Sequence, residues 1–294
     1  MACLWGRCGE PPALIIQQGI LVKTVFSSDL LKGQHAIITG AGSGINLRIA
    51  ERFAQQGASI SIIGRNLDKC QAAAKQIQAQ GGRAMGFAAD VRHYEHLAEA
   101  FAQAREQFGP VDICIAGAAG NFVAQAAQMS ANAFRTVIDI DLIGTYNTFR
   151  AALPLLRPEC SNLLAISAVQ SLMPTATQAH VCAAKAGIDM LVRTLSIEWA
   201  AQGIRCNAIA PGPVAGTEGM DRLAPGGDAS WERLLAGIPM GRAGERDEIA
   251  DLALFLCSGA ARYLNGTVVV IDGGQSNTGS LPFGNMLLDS LKSA

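Results

Sequence analysis

The chain has 294 residues, half of them apolar and only 16% charged, whereas roughly 25% of the residues of an average soluble protein are charged. Its 32 glycines follow no collagen-like period, so the composition indicates a large buried core and excludes a disordered chain. The formal net charge of −1 offers no basic surface to nucleic acid or to an anionic membrane. We therefore expect neither of these partners and favour a small molecule.

The eight cysteines form no CxxC pair and no Cys/His cluster at zinc spacing, so we expect reduced thiols, no bound metal and a cytosolic (cytoplasmic) protein. Residues 1–32 are predicted to be an N-terminal extension that is at most partly ordered. The apolar run at 13–22 is interrupted by two glutamines and a glycine, and it is shorter than the about 20 residues of a membrane span. A secretory signal peptide is the less favoured alternative, because only Arg7 is basic ahead of the run.

From residue 33 onward, short β-branched or apolar runs alternate with longer segments of helical period. Seven strands are predicted, at residues 36–39, 59–63, 84–88, 111–115, 162–166, 205–208 and 267–271. Helices are predicted at residues 45–56, 67–80, 94–108, 131–153, 179–201 and 246–257. This pattern is typical of the α/β class, here a single doubly wound Rossmann domain over 33–275 with a seven-stranded parallel sheet. The Gly/Pro-rich segment 215–241 is predicted to be a small helical lid, and 276–294 a C-terminal tail.

A glycine-rich loop, residues 39–46, follows the first predicted strand and leads into a helix. Glycines let the backbone approach a pyrophosphate, and the helix N-terminus offers free N–H groups and a partial positive charge. The loop therefore indicates a dinucleotide site containing Gly40, Ser43, Gly44, Ile45 and Asn46. An ordinary glycine turn is the alternative. Asn46 stands where the usual pattern has a glycine, which alters the close packing at that position.

Residues after the next two strands indicate which dinucleotide is bound. Arg65 follows the second strand, where NAD-binding proteins have an acidic residue, so it favours the 2′-phosphate of NADP. A solvated surface arginine is the alternative. Asp90, followed by Val91, ends the third strand and is placed either to accept a hydrogen bond from the adenine amine or to cap the next helix. The expected cofactor is therefore NADPH/NADP.

Residues 33–275 resemble the short-chain dehydrogenase/reductase family through motifs that occur in the family's order: residues 39–46, Asp90, Lys185, Asn207, Pro211-Gly212 and Asp272-Gly273-Gly274. Three of the four catalytic positions of the family's pattern differ in this chain. Val181 replaces the tyrosine of Tyr-x-x-x-Lys, Ala168 replaces the serine, and Asp141 replaces the helix asparagine. The family's Asn-Asn-Ala-Gly segment is changed as well, at 116–119.

One branch of that family, the 2,4-dienoyl-CoA reductases and above all their peroxisomal type, is similar in these departures. The similar segments are 118–122, 139–141, 144–145, His180 with Lys185, and 211–219. The resemblance implies that Asp141 and Lys185 are the catalytic pair. It implies a cofactor site of Gly40, Ser43, Gly44, Ile45, Asn46, Arg65, Asp90, Val91, Lys185, Pro211, Gly212, Val214 and Thr217. It also implies an acyl-CoA substrate that meets Arg65, Arg92, Phe122, the turn from Ser130 to Asn132, and Arg222.

The missing tyrosine restricts the chemistry. Reduction of a carbonyl needs a side-chain acid within hydrogen-bond reach of the oxygen, and Val181 cannot serve. Reduction of a conjugated dienoyl thioester instead sends hydride to the δ carbon, and donors can stabilise the resulting dienolate without protonating its oxygen. We therefore expect an NADPH-dependent reductase of conjugated acyl thioesters. A 3-oxoacyl or other carbonyl reductase is the alternative enzyme, and a non-catalytic NADP-binding scaffold is the alternative of another class.

Further expectations concern single residues and the assembly. Asp141 lies in an apolar helix and needs a partner when buried. Lys185 is that partner under the family fold, and we expect Asp141 to orient Lys185 and a water, with a merely structural ion pair as the alternative. Lys185 itself is expected to bind the hydroxyl groups of the nicotinamide ribose. For His180, a helix-start or pocket-wall role is favoured over that of a catalytic acid. The resemblance also implies a homotetramer, in which the predicted helices at 131–153 and 179–201 pair across subunits.

Overall fold

A computed structural model describes residues 15–17, 20–22, 26, 29–158, 160–217 and 228–280. Residues 218–227 of the predicted lid, which include Arg222, and the tail from 281 lie outside the described residues. Strands β1 (Ile15–Gln17) and β2 (Ile20–Val22) form an antiparallel pair within the predicted N-terminal extension. Within the part of the chain that the structure describes, no helix is long and apolar enough to cross a membrane.

The central sheet has seven strands, and every neighbouring pair is parallel. The strands are β3 (His35–Thr39), β4 (Ser59–Gly64), β5 (Arg83–Ala88), β6 (Ile113–Ala116), β7 (Ser161–Ile166), β8 (Ile204–Pro211) and β9 (Val268–Ile271). Their spatial order is β5-β4-β3-β6-β7-β8-β9. The chain therefore builds outward from β3 to one edge and then returns to the other side of β3. In sheets of this kind, the crevice at the carboxyl ends of the strands beside the reversal holds the ligand.

Helices cover both faces of the sheet. They are α1 (Gly44–Gln55), α2 (Leu67–Ala79), α3 (Tyr94–Phe108), α4 (Ala131–Ile138), α5 (Gly144–Ala152), α6 (Ala179–Glu198), α7 (Asp228–Ala236) and α8 (Arg246–Cys257). One apolar core joins the sheet to α1, α2 and α8 through side chains such as Phe53 and Ile77. A second core joins it to α3, α5 and α6 through Phe101 and Phe149. Each large buried side chain contributes about 1.5–3 kcal/mol, so the two cores fix the strand ends that form the cleft.

The predicted α/β class and the seven-stranded parallel sheet are confirmed. Apart from the helix predicted at 131–153, three element bounds differ from the prediction by more than one residue. The strand predicted from residue 111 begins at Ile113, because Val111 bridges Leu156 outside the sheet. The strand predicted to end at residue 208 continues to Pro211 and pairs with β9. Helix α6 ends at Glu198, and a short 3-10 turn then leads to Gly203 with a left-handed φ of 75°.

The long helix predicted at 131–153 is wrong in its middle. A π-helical turn, Asp139–Ile143, separates α4 from α5. Such a turn holds one more residue than an α-helical turn, and it is frequent at functional sites. Gly144 follows the π-helical turn. It packs so closely against the segment after β5 that a Cβ on Gly144 would lie 2.6 Å from Val91 Cγ2. The apolar pattern continues through the π-helical turn, so the sequence shows no break.

Candidate active site

A cleft of about 1160 Å³ opens at the carboxyl ends of the strands. It is lined by the loop after β3, the segments that follow β4 to β8, the start of α6 and one part of α7. All thirteen residues expected for the cofactor line it: Gly40, Ser43, Gly44, Ile45, Asn46, Arg65, Asp90, Val91, Lys185, Pro211, Gly212, Val214 and Thr217. Asp141 lines the same cleft. The fold therefore brings both expected catalytic residues and the expected cofactor residues to one place.

The glycine-rich loop is tightly packed against the end of β6. Gly40 has a φ of +73°, and a Cβ there would lie 2.9 Å from backbone atoms of Ala118. Asn46 Nδ2 donates a hydrogen bond to the carbonyl oxygen of Gly117 at 2.7 Å. A Cβ on Gly117 would be only 2.4 Å from Asn46 Oδ1. The altered packing expected at Asn46 is thus an amide that fills the space above a glycine and joins α1 to β6.

The side chain of Ser43 stands before α1 without bonding to a helix N–H group. It therefore leaves the first backbone donors of the helix to another acceptor, which is the arrangement that a phosphate requires. Arg65, after β4, supplies a cation at the same end of the cleft. Lys69 is a second cation lining the cleft, and its side chain lies against Gly42. Sequence reasoning missed Lys69, which lies in the first turn of α2.

Asp90 is bound to Arg92 by a bidentate ion pair, with Oδ2 at 2.5 Å from Nη2. The Arg92 hydrogen bonds lower the pKa of Asp90 to about 2, so this carboxylate is ionised at neutral pH. Arg92 is partly exposed and lies outside the lining of the cleft. Asn147 Nδ2 donates to the carbonyl oxygen of Val91 and fixes the end of this segment. Asp90 therefore reaches the nucleotide end of the cleft as a carboxylate shared with Arg92.

Asp141 and Lys185 form an ion pair inside the cleft, with 3.2 Å between Oδ2 and Nζ. Their side chains are only 1% and 7% exposed. Asp141 Oδ1 accepts a hydrogen bond from the backbone N–H of Gly120 at 2.7 Å. Lys185 Nζ also donates to the carbonyl oxygen of Ile166 at 3.0 Å. Each member of the pair is therefore held by the backbone of a strand-end segment, and the lysine is a positioned cation in a nearly dry site.

The two positions at which the family carries hydroxyl groups carry none here. Val181 and Ala168 both line the cleft, and Val181 is buried. Ser167, next to Ala168, donates its hydroxyl to Asp189 Oδ1 at 2.5 Å, and both side chains are buried. The Ser167 hydroxyl is thus bound to a residue of α6 and cannot replace the missing serine. Among the described residues that line the cleft there is no tyrosine, so a carbonyl oxygen would meet no phenolic acid.

The ring of His180 stacks on the ring of Phe122, with 4.2 Å between the centroids. His180 is completely buried, and neither ring nitrogen makes a geometrically good hydrogen bond with a described residue. Burial lowers the pKa of His180, so the imidazole is neutral at physiological pH. His180 is absent from the cleft lining. The geometry therefore favours a role in supporting Phe122 over that of a catalytic acid.

The residues expected at the substrate are more dispersed. Ser130 caps α4 by accepting a hydrogen bond from the N–H of Ala133. It also lines a second, mostly apolar pocket of about 680 Å³ between α4 and the start of α6. Asn132 is exposed, and its carbonyl oxygen accepts the hydroxyl of Thr136. Arg65 lines the main cleft, whereas Phe122 and Arg92 lie outside its lining.

The far wall of the cleft follows β8. A Cβ on Gly212 would lie 2.7 Å from Asp272 Cβ, so only glycine allows this strand end to pack against the segment after β9. Thr217 Oγ1 donates to the carbonyl oxygen of Val214 at 3.0 Å and rigidifies the turn. Arg233 and Leu234 of α7 also line the cleft. Part of the predicted lid segment therefore reaches the site.

The fold and the site define an oxidoreductase of the Rossmann type. A family profile described as Enoyl-(Acyl carrier protein) reductase matches residues 40–276. The chain belongs to the short-chain dehydrogenase/reductase family, as its motifs predict. A crystal structure of a short chain dehydrogenase from Bacillus anthracis is 35% identical, covers 83% of this chain and 97% of its own, and superposes with a TM-score of 0.75.

Two curated relatives indicate the branch of the family. The peroxisomal 2,4-dienoyl-CoA reductase of Danio rerio is 42% identical over 85% of this chain and 84% of its own length. The peroxisomal 2,4-dienoyl-CoA reductase of Saccharomyces cerevisiae is 41% identical over 88% of this chain and 89% of its own. The expected resemblance to this branch is confirmed.

The cytosolic location expected from the cysteines is wrong. The similar enzymes of Danio rerio and Saccharomyces cerevisiae are peroxisomal, which points away from a plain cytoplasmic location. All six cysteines among the described residues are free thiols. Free thiols indicate a reducing compartment as opposed to an oxidising one, but they carry no information about which reducing compartment holds the protein.

Proposed function

We propose that the protein is an NADPH-dependent 2,4-dienoyl-CoA reductase. The observation that carries the proposal is the buried Asp141–Lys185 pair beside Val181, in a cleft whose lining has no tyrosine among the described residues. This arrangement keeps a positioned cation and removes the acid that carbonyl reduction needs. It therefore suits a substrate whose charge develops on a conjugated thioester, and the relatives of Danio rerio and yeast act on such a substrate by name.

The residues present fit a bound NADPH. The Gly40 turn brings backbone atoms close to the cleft, and the start of α1 leaves N–H groups free for a pyrophosphate. Arg65 and Lys69 supply positive charge where a 2′-phosphate would lie. Lys185 would hold hydroxyl groups of the nicotinamide ribose. When bound, NADPH supplies the hydride for the δ carbon of the dienoyl chain.

The chain's own groups then control the charge on the substrate. Lys185 lies in a site that is almost closed to water, where a fixed cation stabilises a developing anion more than it would in solution. Asp141 holds Lys185 in place and remains available to orient a water molecule through Oδ2, which accepts no geometrically good hydrogen bond from the described residues. That water is the source we assign to the proton that goes to the α carbon.

The proposal is tested by following NADPH oxidation with a panel of 2,4-dienoyl-CoA, 2-enoyl-CoA and 3-oxoacyl-CoA substrates. We expect turnover of the dienoyl thioesters and little turnover of the 3-oxoacyl thioesters. The Asp141→Asn variant is the matched control for background oxidation. Efficient reduction of 3-oxoacyl-CoA would instead support a carbonyl reductase, and no oxidation with any thioester would support an NADP-binding scaffold.

We also propose a homotetramer. The proposal is supported by exposed apolar side chains on α4, α5, α6 and the π-helical turn, the helices that the family resemblance pairs across subunits: Phe134, Ile143, Tyr146, Met190 and Ile197. Exposed apolar surface on helices is stabilised by a partner. Light scattering at micromolar concentration should give the mass of four chains, and a monomeric mass would contradict this assembly.

A further inference from the structure

Gln178 lies immediately before α6 and lines the cleft, yet its side chain is almost completely buried. Its Nε2 donates hydrogen bonds to the carbonyl oxygens of Phe122 at 2.8 Å and of Thr177 at 3.2 Å. The side chain thereby joins the segment after β6 to the start of α6. None of the roles expected from the sequence uses this glutamine.

The chemistry of the two partners fixes which end of the amide is oxygen. Both partners are backbone carbonyls, which can only accept, so the nitrogen must face them. Gln178 Oε1 must then point the other way. It is buried and accepts no hydrogen bond from any described residue. A buried acceptor without a donor is unfavourable, so this oxygen is placed for a donor that the protein chain itself does not supply.

The local backbone is strained in order to hold this arrangement. Thr177 has a φ of 66°, which is rare for a β-branched residue. Its carbonyl oxygen accepts hydrogen bonds both from Gln178 Nε2 and from the backbone N–H of Ala124. Strain of this kind persists only where surrounding contacts enforce it, and it clusters at ligand sites. The amide is therefore fixed before any ligand arrives.

The position of Gln178 on α6 relates it to the reacting groups. Gln178, Val181 and Lys185 are spaced three and four residues apart, so they follow one face of the helix, and all three line the cleft. Seven residues separate Gln178 from Lys185, so the two lie about two turns apart on this face, with Gln178 at the N-terminal end of α6.

We propose that Gln178 Oε1 accepts a hydrogen bond from the pantetheine amide N–H nearest the thioester sulfur. The inference rests on the proposed function and adds a binding site for the carrier arm. The acyl chain and the sulfur carry no donor, so this N–H is the first donor of the substrate beyond its reacting carbons. The carboxamide of the nicotinamide also offers an N–H donor, and the experiment below distinguishes these two donors.

Four other cleft residues also carry a buried side-chain oxygen that lacks a hydrogen-bond partner among the described residues: Asn46, Asn121, Asp141 and Gln275. Asn46 belongs to the glycine-rich cofactor loop and Asp141 to the ion pair with Lys185, which leaves the amides of Asn121 and Gln275. Neither amide has a side-chain hydrogen bond to the described residues that would fix which end is oxygen. Rotation of either amide by 180° would present a nitrogen instead. Gln178 is therefore the residue on which the assignment depends.

The test compares two short substrates, the 2,4-hexadienoyl thioesters of N-acetylcysteamine and of O-acetyl-mercaptoethanol. They differ only in an amide N–H that is replaced by an ester oxygen. We expect the wild-type kcat/KM to be about tenfold or more higher for the amide, because the ester leaves Gln178 Oε1 without a donor. Equal kcat/KM values for the two thioesters would overturn the proposal without any variant.

Variants then locate the acceptor. Gln178→Met removes the oxygen, and the amide-to-ester ratio should fall to about one. Gln178→Glu keeps an acceptor but loses both donated hydrogen bonds, so the ratio should persist even if activity drops. Gln125→Met changes an exposed glutamine of the neighbouring loop and should leave the ratio as in the wild type. A ratio that survives Gln178→Met would overturn the proposal.

The affinity for NADPH tests the other donor, the carboxamide of the nicotinamide. The Kd for NADPH should be the same in Gln178→Met and in the wild type. A raised Kd for NADPH together with an unchanged thioester ratio would assign the acceptor to the nicotinamide amide and overturn the substrate role. If the wild type oxidises no NADPH with any dienoyl thioester, including the CoA form, the proposed function fails, and this inference fails with it.

Discussion

Asp141 meets Lys185 from a π-helical turn, with 3.2 Å between the carboxylate oxygen and the ammonium nitrogen. The pair is nearly dry, and in such surroundings the cost of desolvating two charges roughly cancels their attraction. A buried ion pair is therefore a weak source of stability. Its position in the cleft, with a backbone hydrogen bond to each partner, is better explained by chemistry on a bound molecule.

We expect Asp141→Asn to lower kcat for a dienoyl-CoA by about 10²-fold, the usual size of a lost acid–base or water-orienting group. The amide keeps the shape of the side chain but cannot balance the charge of Lys185. Steady-state kinetics measure the effect, and thermal unfolding shows that the variant is folded. Asp139→Asn, two residues earlier in the same π-helical turn, is the matched control. Full kcat in Asp141→Asn would remove the residue from the mechanism.

The preference for NADPH over NADH should depend on Arg65 and Lys69. Arg65→Asp should reverse the preference, because the carboxylate repels a 2′-phosphate and accepts hydrogen bonds from a free ribose. Lys69→Ala should lower kcat/KM for NADPH by about tenfold and leave NADH nearly unchanged, since a hydrogen bond to a charged group contributes about 1.5–3 kcal/mol. Lys75→Ala, an exposed lysine on the same helix, is the control. Equal use of both cofactors by the wild type would contradict the assignment.

Simple ketones and alcohols should not be substrates, because Val181 and Ala168 present no hydroxyl group. We expect the double variant Val181→Tyr, Ala168→Ser to gain carbonyl reduction, measured as NADPH oxidation with a 3-oxoacyl thioester. Val181 is packed with Val137 and Ala184, and overpacking typically costs about 1–3 kcal/mol. The gain should therefore come with a lower Tm. If the wild type already reduces ketones efficiently, the role given to the missing tyrosine is wrong.

Arg92 and Arg222 are expected to meet the phosphates of CoA. Arg92→Ala should raise KM for the acyl-CoA with little change in kcat, because phosphate contacts remote from the reaction act equally in the ground and transition states. Arg105→Ala, on the adjoining helix α3, serves as a control for loss of a surface arginine. Arg222→Ala should behave like Arg92→Ala. A large fall in kcat for either variant would place that arginine nearer the chemistry.

Stability should decrease as the pH falls below about 6.5. Burial lowers the pKa of both His35 and His180 in the folded protein, whereas the histidines of an unfolded chain titrate near 6.5. The unfolded state then binds more protons below that pH, so the stability that is present above it is progressively lost. Urea unfolding at several pH values measures the slope. His180→Phe keeps an aromatic ring against Phe122 and should reduce the slope, and an unchanged slope would contradict this account.

Much of the fold was accessible from the sequence, because the strands of a parallel sheet are buried on both faces and appear as short apolar runs. The glycine-rich loop was found because a tight approach such as that of Gly40 to Ala118 has a local signature. The order of motifs along the chain then named the family. In each case the information lies within a few neighbouring residues, or in a pattern that does not depend on contacts.

The features missed depend on contacts between distant segments. The hydrogen bond from Gln178 to the carbonyl oxygen of Phe122 joins a backbone group to a side chain, and neither partner has a pattern in the sequence. The pairing of Arg92 with Asp90 was missed for a different reason. Both residues were identified, but each was assigned to a ligand, whereas in the folded chain they bind each other.

The π-helical turn at Asp139–Ile143 makes the site sensitive to the length of the chain as well as to its composition. Removal of any one residue from the turn would restore a continuous α-helix. In an α-helix, each residue rotates the chain by about 100° around the helix axis. The upstream part of the helix would then point its side chains in a new direction relative to α5. A single-codon deletion that changes no charge could therefore separate Asp141 from Lys185. In comparisons between relatives, a gap in this turn would be as informative about activity as a substitution of the aspartate itself.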